Sequence, residues 1–309
     1  MNPRQLWVAL VTIVVKEVRR FTRIWPQTLL PPSITMTLYF VIFGSLIGRR
    51  IGEMDGFGYM QYIAPGLIMM SVITNSYGNV VSSFFGAKFA RHIEEMLVSP
   101  MPEAFILLGH VAGGVIRGLL VGALVTLIAL FFTDLKPVHP FVTLSVVFLT
   151  AVVFSLAGMI NAIFAKKFDD ISIVPTFVLT PLTYLGGVFY SISLLREFWQ
   201  TVSKFNPILY MVHAFRYGIL GVSDIGIGQA YVIILSFIIG LYFFALVLLK
   251  RGIGIAAVFK NLGFRIVVIA VGRWCFYRVY RRPVFNPERP NGTPPGRQQS
   301  NHAQCQSIF

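Results

Sequence analysis

The chain has 309 residues, of which 56% are hydrophobic and 12% charged, with a mean hydropathy of +0.73. Soluble domains carry about 25% charged residues, so half the usual polar coat is missing and a soluble globular fold is excluded. Lys and Arg outnumber Asp and Glu by 26 to 12, an excess read as cytoplasmic loops and contact with anionic lipid, not as a nucleic-acid surface.

The fold class expected is all-α: a polytopic integral membrane protein with six transmembrane helices, an N-terminal amphipathic interfacial helix and a re-entrant extracellular segment. The first 27 residues form the interfacial helix. Val11, Val14, Val15, Val18 and Trp25 recur on one face, and Lys16, Arg19, Arg20 and Arg23 on the other. Such a helix lies in the membrane plane, either as a lipid anchor or as a lever against a cytoplasmic partner. The apolar run Leu6–Val15 has its cations behind it instead of in front, so a cleaved signal is not expected.

Six stretches are long enough for a hydrocarbon core, which takes about 20 residues. They are Thr28–Leu46, Tyr59–Ser82, Val111–Phe132, Phe141–Phe164, Ile171–Tyr190 and Gln229–Leu249. The first is expected to open on Pro31 and Pro32, since first-turn N–H groups lack partners anyway. The Lys/Arg bias of the connecting segments places both termini in the cytoplasm.

Between the second and third spans, Phe85, Phe89, Ile93, Met96 and Leu97 form an apolar stripe opposite Lys88, Arg91, Glu94 and Glu95. Ser99-Pro100-Met101-Pro102 then ends the helix. This short helix suits docking in a partner's groove, or it simply covers the loop. In the second span Ser71, Asn75, Gly78 and Ser82 share a face; in the fifth, Thr176, Thr180, Thr183 and Gly187 do. Such faces turn away from lipid, for helix packing or for a substrate path and dimer interface. Arg117 lies inside the third span, either snorkelling to the cytoplasmic surface or facing a partner helix or wet cavity.

After the fifth span, an amphipathic piece at Leu194–Phe205 precedes Asn206-Pro207 and the apolar Ile208–Gly221, which is too short to cross and reads as re-entrant. Beyond residue 256 the composition changes. Residues 257–309 hold Cys275 and Cys305 and form a basic tail, in which the cluster Arg273, Arg278, Arg281 and Arg282 either binds anionic lipid or has no selected role, and Asn286–Gln306, rich in Pro, Gly, Asn and Gln, is expected to be disordered.

No phosphate-binding loop, zinc motif or Ser/His/Asp set is present, so a nucleotide-binding, hydrolytic or metal site is not expected on this chain. The spans hold no carboxylate, which weakens an ion-coupled carrier, although backbone carbonyls can bind sodium. An integral-membrane enzyme or a passive channel stays open at this level.

Four runs then carry a specific likeness. They are RFTRIWPQTLLPPSITMTLYFVIFGSLIG from Arg20, the stretch Tyr59–Phe89 with YIAPGLIMMSVITNSYGNVVSSFFGAKF, FDDISIVPTFVLTPLTYLGGVFY from Phe168, and FNPILYMVHAFRYGILG from Phe205. Together they make the chain similar to the membrane subunits of type-2 ABC exporters, over roughly residues 4–256. The resemblance implies an export permease of the bacterial inner membrane that moves an amphipathic or lipid-like substrate. It implies a dimer with a second copy, set on separate cytoplasmic ATPases that hold ATP and Mg, with no cofactor on this chain. It makes Glu94–Pro102 the coupling helix, with Glu94, Glu95, Leu97 and Pro100 as its contacts. It makes residues 28–256 the transporter domain, with the second and fifth spans lining the path and residues 1–27 as the connecting helix. Pro207, Tyr210 and Arg216 match a family signature, and Arg117 stands where related chains carry a basic residue.

Overall fold

The computed structural model describes residues 2–252 apart from 55 and 193–195; the expected tail at 257–309 and Leu194 lie outside the described residues. Among the described residues, three helices are long and apolar enough to cross a membrane: α6 (Glu103–Leu130), α7 (Pro140–Phe164) and α12 (Ile227–Arg251). The other principal elements are α1 (Pro3–Arg23), α2 (Trp25–Val41), α4 (Tyr59–Phe89), α5 (His92–Val98), α10 (Glu197–Lys204) and α11 (Pro207–Leu220). Short pieces complete the order: α3 (Gly48–Ile51), α8 (Asp170–Val174) and α9 (Thr180–Tyr184). A two-residue antiparallel ribbon, β1 (Glu53–Met54) with β2 (Phe57–Gly58), pairs Glu53 with Gly58 and Met54 with Phe57.

The longest of these helices, α4, is the hub. It runs 31 residues, packs on α6, α7 and α11, and buries most of its side chains. Its tyrosines, serines, asparagines and glycines make it less apolar than α6 or α7, and protein covers more of it than of them. Glycines on α6 bring the neighbours close. A Cβ at Gly118 or Gly122 would strike Ser76 or Val72 of α4, and one at Gly109 or Gly113 would strike Ile13 or Glu17 of α1. Helix association in lipid relies on such small residues, because burying apolar surface gains nothing there.

The observed elements depart from the expected ones in four places. First, α2 starts at Trp25 with Pro26 in its first turn, and Pro31 and Pro32 lie inside the helix. Their missing N–H groups would have bonded to the helix's opening carbonyls, and the Thr28 hydroxyl donates back to Phe21, Ile24 and Trp25.

Second, the fifth span is helical only from Asp170 to Tyr184, with a π-helical turn at Pro175–Leu179 between α8 and α9. Pro181 supplies no N–H, Thr180 donates its hydroxyl to the Pro175 carbonyl, and Gly186-Gly187 ends the helix short of Tyr190. Fifteen residues reach only ~22 Å, so the turns up to Tyr190 would have to complete any crossing.

Third, the expected cytoplasmic stripe is not one helix. α4 carries Phe85 and Phe89, the chain breaks at Ala90-Arg91 with Arg91 at φ 62°, and α5 begins at His92. Fourth, α1 buries Ile13, Glu17 and Phe21 against the protein, whereas Val8, Val11 and Val15 stay exposed.

Candidate functional site

The polar edge of α4 splits into an inner and an outer part. Ser71 is buried and returns its hydroxyl to Leu67, so it belongs to the core. Asn75, Gly78 and Ser82 lie on the outer edge with Thr74, and a Cβ added at Gly78 would meet nothing within 4 Å. The Asn75 amide donates to the Ser71 carbonyl at 3.0 Å, which turns its oxygen outward. There it accepts from Arg117 Nη2 at 3.3 Å. The Arg117 side chain thus lies against α4, roughly four turns into α6.

A second arginine reaches the same edge. Arg20 of α1 donates through Nη2 to the oxygen of the Asn79 side chain at 2.7 Å and to its carbonyl at 3.0 Å, and through Nη1 to Ser82 at 3.5 Å. Its Nε lies 3.4 Å from the carboxylate of Glu17, which is fully buried. The other oxygen of Glu17 is 3.9 Å from Nε2 of the equally buried His110. Sequence reasoning assigned no role to Glu17, Asn79 or His110. A glutamate three residues before an arginine on a helix, and an asparagine one turn beyond Asn75, were the available signals.

The fifth-span set does not share one face. Thr176 is exposed in the π-helical turn and Thr180 at the start of α9, whereas Thr183 is buried and donates to Leu179 at 2.7 Å. Gly187 lies past the helix end at φ 71°, where its carbonyl accepts from Arg216. The hydroxyls of Thr180 and Thr183 bond within their own segment, while the α4 edge bonds to α1 and α6.

At the other end of α4, α5 is pinned by Ile93, which is buried, with Met96 and Leu97 packed beside it. Glu95 and Pro100 are exposed, Glu94 and Leu97 half-buried, and Val98, not singled out from the sequence, is 86% exposed. Phe168 stands edge-on to Phe85 and Phe89, and Phe89 and Phe168 are both exposed. Lys88 donates to the Ile163 and Ala165 carbonyls at 2.7 Å each and so fixes the C-terminus of α7. Asp170 accepts from the N–H groups of Lys166 and Lys167 at 2.8 and 3.0 Å, which ties the start of α8 to the turn before it.

The signature residues are structural in their contacts. Pro207 occupies the first turn of α11 beneath the Asn206 cap, and the Tyr210 hydroxyl donates to the Lys204 carbonyl at 2.8 Å. Arg216 is fully buried, donates to Tyr62 and Gly187, and its guanidinium carbon lies 4.0 Å from the Tyr62 ring centre.

Residues 8–220 match the family model described as ABC-2 type transporter. The chain belongs to the ABC-2 type transporter family. That match runs from α1 to the end of α11, so it contains every candidate residue of this ABC-2 transporter chain. The chain is 62% identical over 251 residues to the inner membrane transport permease YadH of Escherichia coli K12, covering 81% of this chain and 97% of the relative. Nodulation protein J of Rhizobium leguminosarum bv. trifolii is 25% identical over 215 residues, covering 69% of this ABC-2 chain and 82% of the relative.

Proposed function

We propose that the chain is the permease subunit of an ATP-driven exporter in the bacterial inner membrane. It crosses six times, through α2 with its following turns, α4, α6, α7, α8–α9 and α12, with both termini cytoplasmic and α10–α11 re-entrant on the outer side. Two copies pair and sit on two copies of a separate ATPase that holds ATP and Mg. The observation that carries this reading is the 62% identity to a transport permease over nearly that relative's whole length. Two further features support it. α5 and the turn after it present Glu95, Val98 and Pro100 to solvent beside the Phe89–Phe168 pair, a mixed apolar and acidic surface fit for docking. The outer edge of α4 and the Thr176–Thr180 edge are polar yet exposed, as an interface or substrate path between two copies requires.

ATP-driven closure of the ATPases would push α5, and through α4 shift the polar edges. Replacing Glu94, Glu95 and Leu97 together by Ala is expected to abolish co-purification with the partner ATPase while the permease stays folded. Retained complex and transport would sink the coupling role. Transport by the purified chain alone, collapsing with an ion gradient, would favour a secondary carrier instead. Gly78→Leu makes a complementary test, because the site has room in one chain. The variant is expected to melt like the wild type yet lose at least about 1 kcal/mol of dimer affinity, roughly a five-fold weaker dimer by single-molecule photobleaching in vesicles.

A further inference from the structure

Arg117 and Arg216 are two guanidinium groups inside one helical bundle, and their surroundings differ. Arg216 gives bonds to two carbonyls and a hydroxyl and lies over a ring. Arg117 has one bond, to Asn75 at 3.3 Å. Its Nε is buried and has no hydrogen-bond partner, and no carboxylate among the described residues lies within ion-pair distance. A buried cation in lipid is retained where it meets an anion or polar partner. Here the protein supplies neither in full.

What surrounds the gap is suited to an anion. Asn75, Thr74, Gly78 and Ser82 form an open polar edge, and nothing occupies the space over Gly78. Arg20 stands within electrostatic reach of Arg117 and is anchored one turn along α4, at Asn79 and Ser82. Glu17 offsets one of the two positive charges, which leaves a net excess of one. Next to Arg117 on α6, Ile116 and Leu120 are exposed apolar side chains. A charged headgroup position flanked by apolar surface fits one molecule with both parts.

We infer that Arg117, with Asn75 and supported by Arg20, forms a binding site for the phosphate headgroup of a membrane-embedded amphiphile, entered along the open edge of α4. A phosphate suits the arrangement because it offers several acceptor oxygens and charge-assisted bonds to guanidinium groups on adjacent turns. This rests on the transport reading and narrows its substrate class to acidic, phosphate-bearing amphiphiles.

The test is binding to the full-length chain in a nonionic maltoside detergent, without any ATPase, by calorimetry. The probes are dodecyl phosphate and inorganic phosphate. Dodecyl phosphate is expected to bind the wild type at least 100-fold more tightly than inorganic phosphate. Arg117→Gln is expected to weaken dodecyl phosphate at least ten-fold, Arg117→Lys less, and Arg19→Gln, an exposed cation on the outer face of α1, not at all. Should Arg117→Gln fold poorly, Asn75→Ala serves in its place, with a several-fold loss expected. Unchanged binding in a folded Arg117→Gln or Asn75→Ala variant, or an equal loss in Arg19→Gln, overturns the site. Equal binding of both probes keeps an anion site but overturns the lipid-like occupant. Because no ATPase is present, failure of the coupling test above would leave this result intact, and the reverse also holds.

Discussion

Arg216→Met is expected to lower the melting temperature of the detergent-solubilised protein by about 10 °C or more and to cut the yield of monodisperse material. The guanidinium ties three elements together. Nη2 donates to Gly187 at the end of the fifth span, and Nη1 and Nε donate to the hydroxyl and carbonyl of Tyr62 on α4. Methionine fills much of the volume but offers no donor to the Gly187 carbonyl or to the hydroxyl and carbonyl of Tyr62. Each buried group left unsatisfied costs about 1–3 kcal/mol, and the lost cation–π contact about 2 more. Set against a total stability on the order of 5–15 kcal/mol, that is a large fraction. At about 2–4 °C per kcal/mol for a chain of this size, a loss of about 5 kcal/mol gives the stated shift. Arg216→Lys should fall between, since one ammonium reaches fewer of the acceptors and lacks the planar fork. A methionine variant melting within 2 °C of the wild type would mean that Arg216 does not hold these elements together.

The helices with the plainest apolar runs were the easiest to read. The spans at Val111–Phe132, Phe141–Phe164 and Gln229–Leu249 correspond to α6, α7 and α12 within a turn or two at most ends, because continuous apolarity marks lipid contact whatever the neighbours do. What failed was local geometry without a compositional mark. The break at Arg91 uses a positive φ on a residue that rarely takes it, so nothing in Ala90-Arg91-His92 announced it. The buried face of α1 contains Glu17, which a purely apolar count assigns to the solvent side. Arg117 and Asn75 were each singled out, but on separate grounds. Their contact depends on how α4 and α6 are rotated about their axes, which one sequence does not fix. The spacing Gly109-x-x-x-Gly113 and Gly114-x-x-x-Gly118-x-x-x-Gly122 was the missed clue, since it marks where α1 and α4 approach α6. Similarly, the four fifth-span residues have helical spacing, but the π-turn and the early end of α9 destroy the common face.

Gly158→Leu on α7 is expected to abolish folding, and Gly158→Ala to damage it measurably. The position faces the backbone of α4: a Cβ would lie 2.6 Å from the Tyr77 carbonyl oxygen and 3.3 Å from its Cα. No rotamer change relieves a clash with backbone, so the helices must separate by several tenths of an ångström along their shared interface. Overpacking of this kind costs about 1–3 kcal/mol, more than the roughly 1 kcal/mol that alanine gains over glycine in helix propensity. Gly86→Ala isolates that second term, because a Cβ there meets nothing within 4 Å. It should melt at or slightly above the wild-type temperature. The opposite signs of these two alanine variants separate packing from propensity in the same assay. If Gly158→Ala were as stable as Gly86→Ala, α4 and α7 would not be in the close contact described, and the central position of α4 would have to be given up.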